Sequence, residues 1–568
     1  MRMLLVCLLS VLVQSSALAE GSEAKKGEDI HSFHRVDPYT AVKQMGAGWN
    51  LGNTLDAIPT EGSWSPPVTE DTFDHIKAAG FQSVRLPVTW THHMGEAPDY
   101  TVDPVWMDRV SEVVDMALER GFYVVLNVHH DSWEWANLSN QDNLEEKHRK
   151  LKILWKQIAE RFKNRSEKLI FETLNEPQGS TIEDANQYNL MNKNIVEVIR
   201  NSGGYNQERL ILLPGLNTNI EKTIDWFKNP DPADRNLMLT VHNYDPWNFV
   251  SRYWGTTYWD NREYFDVLFG KLDAFSDQIG LPVIIGEYGT LASGTVEHHS
   301  KWVYTDRFVR AAHKYGMATM VWDIGIDHFD RENKVWVDPI CRDIILNASK
   351  GIRNSFVDKA SIYLRDGVPI TDQVLQLELN GNKLENVYHG STQLKKGEDY
   401  SLEGSVLTLN GKYLSTLVQD LGVQATLKFK FNEGAEQSLD IIKFKAPEMA
   451  VTEVTIEKGS VADDLKIPTL FNGTSLATVT ALELNTIDYQ TGTPLPMPVK
   501  DEWTNFMPNN AFDGLRGGLN FNDDFRSDAT NVYISKNVLN LMNDDAVFSF
   551  KFWPRDQEVN VDVIVRVK

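Results

Sequence analysis

Between residues 46 and 350, short apolar runs rich in β-branched residues alternate with segments whose apolar positions recur at helical spacing. The runs lie at 46–51, 83–88, 123–129, 169–174, 209–214, 237–242, 282–286 and 318–322. Between them, residues 104–120 carry apolar positions at i, i+3, i+4 and i+7 and stop at Gly121, and 143–161 and 186–201 follow the same rule. Continuously apolar strands alternating with helices predict a parallel sheet covered on both faces. Eight such units predict a closed (β/α)8 barrel, an α/β TIM barrel spanning 30–350. A doubly wound open sheet is the alternative, but the first strand, in Gly46-Ala-Gly-Trp-Asn-Leu-Gly-Asn53, lacks the G-x-G-x-x-G phosphate turn in register.

After Asn354 the helical period vanishes. Residues 356–446 alternate apolar and polar, with turn signals at Leu379-Asn-Gly-Asn382, Leu402-Glu-Gly-Ser405 and Leu409-Asn-Gly-Lys412. Asn-Gly between alternating segments marks a hairpin, and the stretch predicts an immunoglobulin-like β-sandwich. A second all-β module runs over 449–568. In Val547-Phe-Ser-Phe-Lys-Phe-Trp553, period two puts Phe548, Phe550 and Phe552 on a core face and Ser549, Lys551 and Trp553 on the other. The joints near 351–356 and 446–450 are a few residues long, so the modules are expected to abut.

Composition narrows the chemistry. The chain has 568 residues, 42% apolar and 24% charged, which is ordinary globular usage. A formal net charge of −23 excludes nucleic acid and anionic membrane as partners, since both need a basic face. Met1-Arg2, an apolar run over 4–13 and Ala17-Leu-Ala19 read as a secretory signal peptide over 1–19, too short to span a bilayer. A secreted, extracellular protein is therefore expected, acting as a monomer without a membrane anchor. Of two cysteines, Cys7 leaves with the signal and Cys341 remains without an internal partner.

In a (β/α)8 barrel, function sits where strands end. The ends here are Asn50-Leu-Gly-Asn53, Arg85, His129-His130-Asp131, Asn175-Glu176-Pro177, His242-Asn243-Tyr244, Glu287-Tyr288 and Trp322-Asp323. Glu176 follows strand 4 and Glu287 follows strand 7, on opposite sides of the mouth. Two carboxyls facing one bond are what glycoside hydrolysis needs: one protonates the leaving oxygen and the other attacks the anomeric carbon or activates water. A metal site is the competing use of His129, His130 and His242. It is disfavoured because H-e-x-x-H is absent and adjacent residues of a strand point opposite ways, so neither metal nor cofactor is expected. Arg85 is expected to hold a carboxylate ionised.

The motifs Gly48-Trp-Asn-Leu-Gly-Asn-Thr-Leu-Asp56, Val84-Arg-Leu-Pro-Val88, Asn127-Val-His-His-Asp131, Leu174-Asn-Glu-Pro177, Val241-His-Asn-Tyr-Asp-Pro-Trp247, Ile285-Gly-Glu-Tyr-Gly289 and Val321-Trp-Asp323 resemble, in order, those of glycoside hydrolase family 5. The resemblance covers about residues 36–350 and is to the endo-β-1,4-glucanases of subfamily 4. It implies Glu176 as acid/base, Glu287 as nucleophile, Arg85, His129, Asn175, His242 and Tyr244 as supporting residues, and Asn53, His130 and Trp322 as sugar contacts. One departure is Ile324 after Trp322-Asp323. The second module resembles immunoglobulin-like X2 modules, and the last resembles carbohydrate-binding module family 46, where Trp503 in a polar stretch is a candidate sugar platform or a cover for a core edge. The reading is a secreted, retaining endo-β-1,4-glucanase. Its expected partner is a β-glucan: cellulose-type, mixed-linkage or xyloglucan. A β-mannanase and a non-catalytic carbohydrate-binding protein are the alternatives.

Overall fold

In a computed structural model, which describes residues 29–250, 257–290, 297–483, 519–557 and 559–568, eight short parallel strands close on themselves. They are β1 (Ala47–Asn50), β2 (Ser83–Leu86), β3 (Tyr123–Asn127), β4 (Leu169–Glu172), β5 (Ile211–Pro214), β6 (Leu237–His242), β7 (Val283–Tyr288) and β8 (Ala318–Val321). Closure is made by β1 against β8, with Ala47 opposite Thr319. The closed barrel bears out the sequence reading and disposes of the open sheet. Most strands are shorter than their apolar runs, because the last residues of those runs have already turned into loops; β6 matches its run, and β7 continues two residues beyond its own to Tyr288.

The helices form where the sequence supplies both a stripe and a stop. Helix Pro104–Glu119 starts with proline in its first turn and with the Asp103 side chain accepting from the Val105 N–H. Helix Ile182–Asn201 opens with a reciprocal capping box between Thr181 and Asp184. Their apolar faces cover outward strand residues such as Val84, Leu126 and Phe171 in one continuous core.

The barrel interior has two storeys. Below, Val125, Ile170, Leu212, Met238, Ile284 and Met320 pack together, plugged by Ala41, Val42 and Met45 of helix Pro38–Met45. Two residues further along several strands, period two brings polar groups to the same inward side: Asn127 follows Val125 and Glu172 follows Ile170. On β6, Met238, Thr240 and His242 climb the same line. The polar storey is the floor of the site.

Two β modules follow. The first pairs a sheet of Phe356–Val357, Gln373–Glu378, Val406–Leu409 and Tyr400–Glu403 with a five-stranded sheet led by Gly422–Phe431 and Gln437–Phe444. The second pairs two four-stranded sheets, one holding Ala546–Phe552 and Asn560–Val567. There Phe548, Phe550 and Phe552 are fully buried, as period two required. The modules do abut. Buried Asn354 donates to Asp306 Oδ1 of the barrel at 2.8 Å and accepts from the Ala435 N–H at 2.9 Å. Glu378 of the first β module sits between the barrel arginines Arg262 and Arg307. No helix among the described residues is long and apolar enough to cross a membrane.

Candidate active site

Arg85 organises the floor. Its side chain is fully buried, and each of its three nitrogens is used. Nε donates to Glu172 Oε2 at 2.8 Å, Nη1 to Glu287 Oε1 at 2.7 Å and Asn50 Oδ1 at 3.1 Å, and Nη2 to Asn175 Oδ1 at 2.8 Å. Burial works against the guanidinium charge, but Glu172 and Glu287 outweigh it and raise its pKa. The cation thus ties β1, β2, β4 and β7 into one rigid cluster. Asn50 reinforces it by donating to the Gly286 and Met320 carbonyls at 2.9 and 3.1 Å.

Glu287 reaches this cluster through a backbone irregularity. On β7, Ile284 faces the lower storey, so strict alternation would aim Glu287 outward. The pairing with β6 runs Val241 opposite Ile285 and then His242 opposite Glu287, and a matching slip occurs against β8. One extra residue, at Gly286–Glu287, therefore makes a β-bulge that turns Glu287 inward. Gly286 is required there: a Cβ would lie 2.9 Å from Thr240 Oγ1 and 3.1 Å from His242 Nε2.

Glu176 stands past the end of β4, where its own φ of 38° lies in the left-handed region. A non-glycine residue held there marks a position fixed by its surroundings. His242 Nδ1 lies 3.0 Å from Glu176 Oε1 and 3.6 Å from Glu287 Oε2. One oxygen from each glutamate and one nitrogen of His242 fall within 4.8 Å of one another. The Tyr244 hydroxyl donates to Glu287 Oε2 at 3.0 Å. The Glu287 side chain is 7% exposed and that of Glu176 is 27% exposed, so the second is the one open to the cleft.

The electrostatics follow from these contacts. Burial raises the Glu287 carboxyl above its usual range, with His242 and Arg85 pulling the other way. Burial pushes Glu176 up too, but His242, through its hydrogen bond and its charge, prevails and holds that carboxyl below the usual range. Burial pushes the His129 imidazole well down, helped by His130, Arg85 and His242, so His129 is neutral. Burial, then the charge of Glu287, holds the Tyr244 phenol well above its usual value, leaving it a hydrogen-bond donor.

The remaining sequence candidates collect on the β8–β1–β3 side. Trp322 lies parallel to His129, with ring centres 5.9 Å apart and 5° between planes. The indole rests on the backbone at Gly52, where a Cβ would come within 2.8 Å of Trp322 Cζ2. Asn53, at φ 56°, lies in the same loop. His130 is buried with neither ring nitrogen hydrogen-bonded. The sequence expectation that His129 and His130 point opposite ways is corrected: β3 ends at Asn127, and beyond the strand the two rings meet at 4.5 Å. They also approach Asp56 within 4.8 Å. The acids of both carboxylate–imidazole groupings are already engaged, Glu287 by Arg85 and Asp56 by the N–H groups of Asn53 and Thr54. Trp503 lies outside the described residues.

Sequence reasoning missed several parts of the site. Glu172 was hidden inside an apolar run, though a lone acid in such a run is itself a signal. Asn127 was read only as part of a motif; it donates to both Glu172 Oε2, at 2.9 Å, and His129 Nδ1, at 3.0 Å, which leaves the proton of neutral His129 on Nε2. Trp64 and Trp133 were not singled out. Their rings lie 5.5 and 4.3 Å from His130, and they are 45% and 50% exposed.

The model of the cellulase family (glycosyl hydrolase family 5) matches residues 46–328, and that of the carbohydrate-binding domain X2 matches 357–441. Endoglucanase B of Paenibacillus lautus is 35% identical over 468 residues, covering 78% of this chain and 80% of that protein. Among solved structures, a tri-modular subfamily 4 endo-β-1,4-glucanase from Bacillus licheniformis is 42% identical with a TM-score of 0.83, covering 94% of this chain and 100% of that one. A complex of the same description with cellotetraose is 41% identical with a TM-score of 0.85, at the same coverage.

Proposed function

The chain belongs to glycosyl hydrolase family 5, and from that premise we propose that it is a secreted, retaining endo-β-1,4-glucanase in which Glu287 attacks and Glu176 serves as acid and then base. The observation that carries the retaining reading is the approach of the two carboxylates, with an oxygen of each within 4.8 Å. Retaining enzymes place their carboxyls about 5–5.5 Å apart, whereas inverting ones leave about 6.5–9.5 Å for a water. The division of roles follows from the neighbours. Glu287 is gripped by a guanidinium and a phenol, both of which favour the carboxylate needed for attack. Glu176 is the more exposed of the two and is held by no guanidinium hydrogen bond, as a proton donor to a departing sugar should be.

His242 touches both carboxylates. Burial favours the proton that Glu176 needs for the acid step, and the hydrogen bond and charge of His242 oppose it. As Glu287 loses its charge by bonding to the anomeric carbon, the charge that opposes ionisation of Glu176 disappears, and Glu176 can take a proton from the incoming water. Asn175 gives its oxygen to Arg85, which keeps its amide N–H groups for donation, and a sugar 2-hydroxyl can accept. The flat faces of Trp322, Trp64 and Trp133 suit a chain of β-linked glucosyl units. Cellulose-type and mixed-linkage glucans and xyloglucan are its candidate substrates. The signal-like residues 1–19 support secretion.

The test is chemical rescue. Glu287→Gly should lose turnover on a cellobioside with an activated leaving group, and added azide should restore it, giving a glycosyl azide of inverted configuration by proton NMR. Rescue of Glu176→Gly by azide with inversion, and none for Glu287→Gly, would reverse the roles.

A further inference from the structure

A cavity of about 580 Å³ underlies the barrel, but its walls are mostly apolar and nothing identifies an occupant. A second cavity, of about 550 Å³, opens where all three modules meet. The barrel contributes Glu297 and His298, at the start of helix His298–Lys314, the helix that follows the nucleophile strand. The first β module contributes Lys359 and Tyr363, and the last contributes Trp553 and Arg555. We propose that this junction is a second glucan-binding site, built only when the three modules abut, in which Trp553 stacks on a glucosyl ring while Glu297, Lys359 and Arg555 bind its hydroxyls.

Three observations carry the assignment. The volume lies within the range of about 300–1,000 Å³ typical of ligand sites. The walls combine an aromatic face with charges of both signs, which suits a neutral polyol: hydroxyls donate to a carboxylate and accept from an ammonium or guanidinium, while the indole covers the C–H face of the ring. The parts are also held in place. Tyr363 packs on the core of the last module, and the Arg555 guanidinium lies 5.3 Å above the ring of Tyr258 in the barrel. Burial pushes the Glu297 carboxyl up against the opposing pull of Ser300, Arg555, His298 and Lys359. The cavity opens on the same end of the barrel as the catalytic pair, because the N-terminus of a barrel helix lies at the strand ends that carry the site.

The proposal rests on the glucan reading above, and its test separates the two. The full chain carrying Glu176→Gln is titrated with cellotetraose by calorimetry. Two binding events are expected, one in the cleft and one at the junction. Adding Trp553→Ala should leave the first and weaken the second at least about tenfold, as removal of an aromatic anchor does. Hydrolysis of a short aryl cellobioside by the otherwise intact chain should be unchanged by Trp553→Ala. If Trp553→Ala does not fold, Glu297→Gln with Lys359→Met serves instead and should weaken the same event. A single event in the Glu176→Gln chain, or two events that the junction variants leave unaltered, overturns the proposal. No binding at all would overturn the glucan reading with it.

Discussion

Removing one oxygen tests the site most cleanly. The Tyr244 hydroxyl donates to Glu287 Oε2 at 3.0 Å inside a buried pocket and has no other hydrogen-bond partner among the described residues. Tyr244→Phe keeps the ring and deletes that bond. A hydrogen bond to a charged group is worth about 1.5–3 kcal/mol, and each pKa unit corresponds to about 1.36 kcal/mol. The hydroxyl favours the ionised carboxylate, so its loss should raise the Glu287 pKa, already raised by burial, by a further one to two units or so. The acid limb of kcat/KM reports groups of the free enzyme that must be ionised. That limb should therefore move to higher pH by the same amount, and the loss of rate should be greatest in acid. The assay is a pH series on a soluble cellobioside, with a thermal unfolding curve to show that the fold is kept. An acid limb that stays in place while rates fall equally at every pH would refute the reasoning, because Tyr244 would then act on the substrate and not on the nucleophile.

Two further outcomes follow from the same cluster. Arg85→Met leaves Glu172 and Glu287 buried without their cation; breaking a buried pair this way costs about 3–5 kcal/mol, so the denaturation midpoint in guanidinium should fall sharply while Glu172→Gln with Arg85→Met recovers part of the loss. Gly286→Ala brings a methyl group within 3.1 Å of His242 Nε2; turnover should fall at least about tenfold, as for a small misplacement of catalytic groups, with circular dichroism unchanged.

Much of the architecture could be read from the chain because it is written in period. The eight apolar runs and their helices follow from burial on both faces, and Phe548, Phe550 and Phe552 fell where alternation put them. Both glutamates were visible as acids at strand ends. The parts that were not visible depend on contacts between distant strands. Glu172 hides in an apolar run because its partner, Arg85, lies 87 residues away. The pairing of His129 with His130 depends on β3 stopping at Asn127, two residues before its apolar run does. The bulge at Gly286 depends on the registers of β6 and β8, which no property of β7 alone declares.

That bulge makes the aim of Glu287 depend on how β7 pairs with its neighbours more than on the residues around it. A (β/α)8 barrel absorbs substitutions on its strands and changes of length in its loops, and both are the usual raw material of divergence. β7 is different. A β7 of the same length paired as a regular ladder would leave the barrel closed and Ile284 in the lower storey, yet the carboxylate three positions on would face the surrounding helices. Lineages descended from this chain can therefore change what the cleft accepts by altering Trp64, Trp133 or the loops, but in a β7 of six residues, Val283–Tyr288, the bulge has to be kept for Glu287 to face the cleft.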